Sequence, residues 1–233
     1  MSYDQGSRGY DPIQPSIAAD SRARFVARTY THLLGAIAAF TVLEVLLFQS
    51  GIAASIAETL LGTSWLFVLG GFLVVSWIAS RIAHTVESVP AQYAALGAYV
   101  LAQAIIFVPL IYIAEVTAPG VVRSAAAVTL FGFAGLTAVA LITRKDFSFL
   151  RGVLLWGGVV ALVLIVAGAL FGFELGTFFS VAMVALAGAA ILYDTSNVIH
   201  HFREDRYVAA ALELFASVAL MFWYVIRLFL SRD

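Results

Sequence analysis

The sequence predicts an all-α fold: a polytopic membrane protein built as a bundle of seven transmembrane helices. Three observations predict it. The 233 residues are 62% hydrophobic, with a mean hydropathy of +0.98. Only 12% are charged, about half the ~25% of a soluble domain. The apolar residues gather into seven runs, each near the ~20 residues needed to cross a hydrocarbon core of ~30 Å.

Residues 1–20 are polar and carry Pro12 and Pro15 among Gly, Ser and Asp. They hold no apolar h-region, so they read as a disordered cytoplasmic tail reaching residue 23, not as a signal peptide. Residues 24–233 form the membrane domain. Arg22, Arg24 and Arg28 precede the first run and hold its start in the cytoplasm, making that run an uncleaved signal anchor. The runs cover residues 29–48, 65–83, 91–114, 120–143, 149–171, 177–199 and 208–230. Their connections are short and rich in Gly, Pro, Asp, Glu and Ser. Small residues recur within them, as in Ala185-Leu186-Ala187-Gly188-Ala189-Ala190, which lets helix backbones approach closely.

Positive charge sets the orientation. With seven crossings, ten of the thirteen Lys and Arg residues fall on the side of the N-terminus, leaving Arg123, Arg227 and Arg232 near the other side. The N-terminus is therefore expected in the cytoplasm and the C-terminus outside. Net charge is −1, which gives no sign of a nucleic-acid partner; membrane lipid is the implied surroundings. There is no cysteine, which excludes disulfides and thiolate metal sites.

Polar residues within the runs have mostly structural readings. Glu44 is expected to pair with Arg123 or Arg227 at similar depth. Gln103 and Thr41 read as interhelical hydrogen-bonding groups, and His32 as structural. His200 and His201 read as solvated, and Trp65, Tyr112, Trp223 and Tyr224 as an interfacial belt. The stretch ILYDTSNVIHHF at 191–202 is different. It puts Asp194 inside an apolar run, and an ionisable group there marks a functional site by default. Counting at ~1.5 Å per residue puts Asp194 ~8 Å deep, Glu213 ~9 Å deep and Arg81 ~3–5 Å deep, all from the cytoplasmic face. Ser217 lies one turn beyond Glu213. Arg81, Asp194 and Glu213 are thus expected to meet, with Glu213 nearer to Asp194 than Ser217 is. Two carboxylates held that close would share a proton over some pH range and titrate as a unit. No further cofactor is implied.

ILYDTSNVI resembles the signature of the Bax inhibitor-1 family, whose Leu-Tyr-Asp-Thr stretch ends the sixth transmembrane helix. Thr143-Arg144-Lys145-Asp146-Phe147-Ser148 resembles the family's Thr-x-x-Asp-Phe-Ser segment. Arg28-Thr29-Tyr30 resembles its entry to the first helix, and Val108-Pro109-Leu110 its Gly-Pro-Leu. The resemblance covers almost everything after Ala23. It implies a seven-helix bundle with the seventh helix central, and a proton-sensitive calcium leak pathway; eukaryotic members suppress cell death. It also implies an aspartate pair on the sixth and seventh helices, with an arginine latch on the second. Asp194 matches the first aspartate and Arg81 is placed as the latch. Ser217 stands where the family has its second aspartate, and Leu220 where it has asparagine, so Glu213 is expected to supply the second carboxylate of the pH-sensing pair and, with Asp194, to bind calcium weakly. Ser at that place is similar to the bacterial branch of the family that holds modulators of the FtsH membrane protease.

Three function classes follow. The first is a pH-sensitive cation leak, carrying calcium or protons past buried carboxylates. The alternative is a non-transporting interaction protein that modulates a membrane protease of the FtsH type, with the tail as a handle. An enzyme is not expected: there is no HExxH, no Gly-x-Ser-x-Gly, and no intramembrane histidine set for zinc. The only lysine, Lys145, lies in a connection, which excludes a retinal Schiff base. The expected location is the bacterial inner membrane.

Overall fold

The computed structural model describes residues 13–231, with side chains from Asp20 onward. Eight helices and no strands are found among the described residues. They are α1 (Ile13–Gln49), α2 (Ile52–Gly62), α3 (Trp65–Thr85), α4 (Val89–Thr117), α5 (Val121–Thr143), α6 (Leu150–Phe171), α7 (Gly176–His200) and α8 (Tyr207–Leu230). Seven are long and apolar enough to cross a membrane, the exception being α2. They correspond in order to the seven runs.

Two boundaries differ from the expectation. The first helix begins at Ile13, so the part of the expected tail from Ile13 to Ala23 is helical; residues 1–12 lie outside the described residues. The connection holding Glu58 is the short helix α2, whose Ala53 and Ala57 pack on Val108 of α4. An 11-residue apolar helix falls below the length of a span, so the sequence gives it no transmembrane signal. Gly51, at φ 78, turns the chain from α1 into α2 in the left-handed region that favours glycine.

The last helix is the central post. α8 packs against α1, α3, α4, α5 and α7, and its residues are apolar on most faces, as buried helices require. Val208, Ala209, Ala210 and Ala211 are all fully buried at its start. Aromatic rings fill the space around its far half. Phe40 of α1, Phe107 of α4 and Phe222 of α8 meet edge-to-face or stacked, with centroids 5.2 Å and 5.5 Å apart along that chain. Such offset geometries suit the ring quadrupole. α3 and α6 lie at the periphery and expose much of their surface.

Contacts gather the basic connections at one end, called here the basic end. Arg22 of α1 donates to Phe202 O at 2.7 Å, beyond the α7 terminus. Arg206 donates to Val86 O at 2.6 Å, just past α3. Both guanidinium groups thus satisfy carbonyls at helix C-terminal ends, where positive charge is favourable. The Arg144–Phe149 connection joins them through Ser196 of α7.

Candidate functional site

Asp194 is buried on α7, 8% exposed, four residues after Ala190 in the small-residue stretch that lets α7 approach α8. Its partner is Ser217 of α8, equally buried, whose Oγ donates to Asp194 Oδ2 at 2.5 Å. A charge-assisted hydrogen bond of this kind is roughly twice as strong as a neutral one.

The expected three-residue cluster is not formed. Glu213 is turned toward α3, where its carboxylate pairs with His84 Nε2 at 2.8 Å. Ser217, not Glu213, is the hydrogen-bonded partner of Asp194. Arg81 is exposed, and its guanidinium lies over the Trp77 ring, 5.6 Å from the centroid. It makes no ion pair with Asp194. Depth counting gives the height of a residue but not its angle around the helix axis. Glu213 and Ser217 differ by ~40° in that angle, enough to direct one to α3 and the other to α7. No group of three or more His, Asp or Glu residues suited to a metal ion occurs among the described residues.

The motif stretches converge just below Asp194. Tyr30 Oη of α1 shares a 3.2 Å hydrogen bond with Thr195 Oγ1. Ser196 Oγ accepts the Phe147 N–H at 2.9 Å. Asp146 closes its own turn by accepting the Ser148 N–H at 2.8 Å, and it faces His201 Nε2 at 3.5 Å. That Ser148 donor, with the nearby histidines, holds the Asp146 carboxyl below the usual aspartate range. The Asp-Thr-Ser triplet therefore spreads three consecutive polar groups to three neighbours: α8, α1 and the Arg144–Phe149 connection.

Other expectations are corrected. Glu44 is buried, and neither of its oxygens has a hydrogen-bond partner among the described residues; the expected pairing with Arg123 or Arg227 is not formed. Gln103 donates to Tyr99 Oη within α4, and Thr41 Oγ1 to Ile37 O within α1, so neither bridges helices. Tyr224 is buried and Trp223 stacks on Trp65 at 5.9 Å, so these rings pack inside as well as at the rim. His200 and His201 are exposed, as expected, and they also tie two connections together: His200 Nε2 donates to Arg144 O at 3.1 Å and His201 faces Asp146. His32 is structural as expected, bonded to Tyr93 Oη at 2.6 Å. The sequence reading passed over His84, Tyr30 and Arg206 as site neighbours. His84 was open to the same depth count as Arg81, three residues earlier on that helix.

A cavity of about 1230 Å³ reaches this region from the end opposite the basic one. Glu174, Arg227 and Ser231 line its mouth; Tyr99, Gln103 and Ser217 line its depth. At the basic end the bundle is closed by the His84–Glu213 pair, by Arg206, and by Phe25 against Phe202.

A family model described as inhibitor of apoptosis-promoting Bax1 matches residues 22–233. Among curated proteins, an uncharacterized protein of Pseudomonas aeruginosa is 37% identical over 112 residues, covering 47% of this chain and 49% of that protein. The modulator of FtsH protease YccA of Escherichia coli is 37% identical over 100 residues, covering 42% of this chain and 45% of its own length. An uncharacterized membrane protein of Vibrio cholerae is 29% identical over 118 residues, covering 48% and 50%. The chain spans about half the length of the curated relatives it matches.

Proposed function

The chain belongs to the Bax inhibitor-1 family, and on that premise we propose that it is a bacterial inner-membrane protein conducting a slow, pH-sensitive leak of calcium or protons past Asp194. The observation that carries this reading is the cavity that descends from the mouth at Glu174 and Arg227 to Ser217, whose hydroxyl is bonded to Asp194. A cation entering there meets carbonyl, hydroxyl and carboxylate oxygens, the hard ligands that calcium takes. One carboxylate and one hydroxyl fall well short of the six to eight oxygens of a tight calcium site. Asp194 therefore suits brief occupancy, in which calcium and a proton compete for the same oxygens. Closure at the basic end makes this a shut conformation, with the mouth facing outside and the basic end in the cytoplasm. Purified protein in liposomes with a trapped calcium dye tests the proposal. Expected is a flux that changes with pH and is lost in Asp194→Asn; wild-type flux equal to that of empty liposomes would sink it.

A second reading rests on the YccA relative, whose printed name makes it a modulator of FtsH protease. In that reading the chain binds a membrane protease of the FtsH type through its N-terminal region without transporting ions. Co-purification with the protease, lost on deleting residues 1–20, supports it; retained flux in liposomes without any protease argues for the first reading.

A further inference from the structure

A second cavity, of about 900 Å³, opens between α1, α4, α5 and α8 toward the end opposite the basic one. It is separate from the Asp194 site in its polar lining. Glu44 of α1 lines it and is 7% exposed. Neither Glu44 oxygen has a hydrogen-bond partner among the described residues. Thr129 of α5 lines the same cavity, is 2% exposed, and its Oγ1 is likewise without a partner. Buried polar groups are normally satisfied, and a buried carboxylate without a counter-charge is costly. Two such groups from different helices, both in the wall of one cavity and both without a partner, point to a partner that both would hold.

The chemistry narrows the partner. Three oxygens are on offer: two from Glu44 and one from Thr129. That is far below the coordination demand of a divalent cation. It equals the three N–H donors of a primary ammonium. The remaining walls are aromatic and aliphatic, with Phe40, Phe48, Phe215 and Phe222 contributed by α1 and α8. Such walls bury an apolar body, and their ring faces attract a cation. A volume of this size matches sites for drug-sized molecules. Arg123 and Glu115 both line the cavity as well, so opposite charges offset each other there and no anion is favoured.

We propose that this cavity binds a lipophilic primary amine, its ammonium held by Glu44 and Thr129 and its apolar body against the Phe40 and Phe222 rings. The ammonium could be supplied by a free amine or by a phosphatidylethanolamine headgroup. The inference does not depend on ion flux through Asp194.

The test uses dansylcadaverine, a fluorescent lipophilic primary amine, and its N-acetyl derivative, which keeps the body but lacks the charge. The full chain is placed in phosphatidylcholine nanodiscs. Expected is saturable fluorescence enhancement, with the amine binding about tenfold or more tighter than the acetylated probe, as a charge-assisted contact predicts. In Glu44→Gln that preference should fall to about onefold, and in Thr129→Val it should shrink. Ala126→Phe, which fills the cavity from α5, should remove both probes. Competition by added phosphatidylethanolamine assigns the ammonium to lipid; its absence assigns it to a free amine. Equal affinity for the two probes in the wild type overturns the proposal. So does a preference that survives Glu44→Gln, or binding that survives Ala126→Phe. Should Glu44→Gln not fold, Thr129→Val and Ala126→Phe decide alone.

Discussion

Ser217 of α8 donates its hydroxyl hydrogen to Asp194 of α7, at 2.5 Å, across the interface between two buried helices. The two residues should therefore act as a unit. In liposome flux assays, Asp194→Asn should abolish the pH-dependent component and Ser217→Ala should reduce it. The double variant should be no worse than Asp194→Asn alone. A coupling of about 1.5–3 kcal/mol is expected for a hydrogen bond to a charged group. Independent, additive losses would show that the bond does not matter to transport.

Ser217→Asp would set a second carboxylate beside the first. Two close carboxylates titrate jointly and offer more oxygen to a divalent ion. Calcium flux should rise by about severalfold, and its pH dependence should become steeper. Unchanged calcium flux in a folded Ser217→Asp protein would contradict the role given to this position.

Arg81 lies over Trp77 on the exposed side of α3. Arg81→Ala should leave the flux and its pH midpoint at wild-type values. A shifted midpoint would return Arg81 to the site and imply a conformation in which α3 has rotated.

His84→Leu removes the partner of Glu213. Both side chains are about a third exposed, so solvent screens the pair and the loss should be small, about 0.5–1 kcal/mol. It should also loosen the closed basic end. Chemical denaturation in detergent measures the first effect, and basal flux at neutral pH the second. Flux that does not rise would place the closure elsewhere, with Arg206 as the next candidate.

Asp146 gives a pH signal outside the membrane. Its folded carboxyl is held below the ordinary value of 3.8, chiefly by the Ser148 N–H. A depressed carboxylate contributes stability that is fully present above the unfolded value and is lost as pH falls through the folded one. The connection should therefore be unaffected between neutrality and pH ~5, and should loosen only below the usual aspartate range. The Ser148 amide resonance should titrate with a midpoint under 3.8 and should show no such step in Asp146→Asn. A midpoint above that value would contradict the turn geometry.

The seven spans could be read from the sequence because each is long and apolar, and composition alone carries that signal. Asp194 was legible for the same reason: one carboxylate stands out in an apolar helix. Its surroundings were less so. The height of Glu213 was recoverable, but the rotation of α8 was not, because α8 is apolar on nearly every face and has no polar stripe to orient it. Arg81 had the right height and the wrong side of α3. Glu44, Arg123 and Arg227 lie at similar depth in the sequence count, yet proximity along the membrane normal says nothing about lateral position. The short helix α2 escaped because its length falls between a loop and a span.

The position of α8 has a consequence for how the protein is made. A ribosome releases helices in chain order, so α8 reaches the bilayer after the six other spans are already there. Five of those six pack against α8, and until it arrives α7 exposes Asp194 without Ser217. Assembly therefore waits on α8, which follows those six in the chain, and the preceding spans must be kept as a loose group with a polar groove still open to lipid. A chain interrupted before Tyr207 should lack a defined bundle altogether, and quality-control proteolysis, not partial activity, should be its fate.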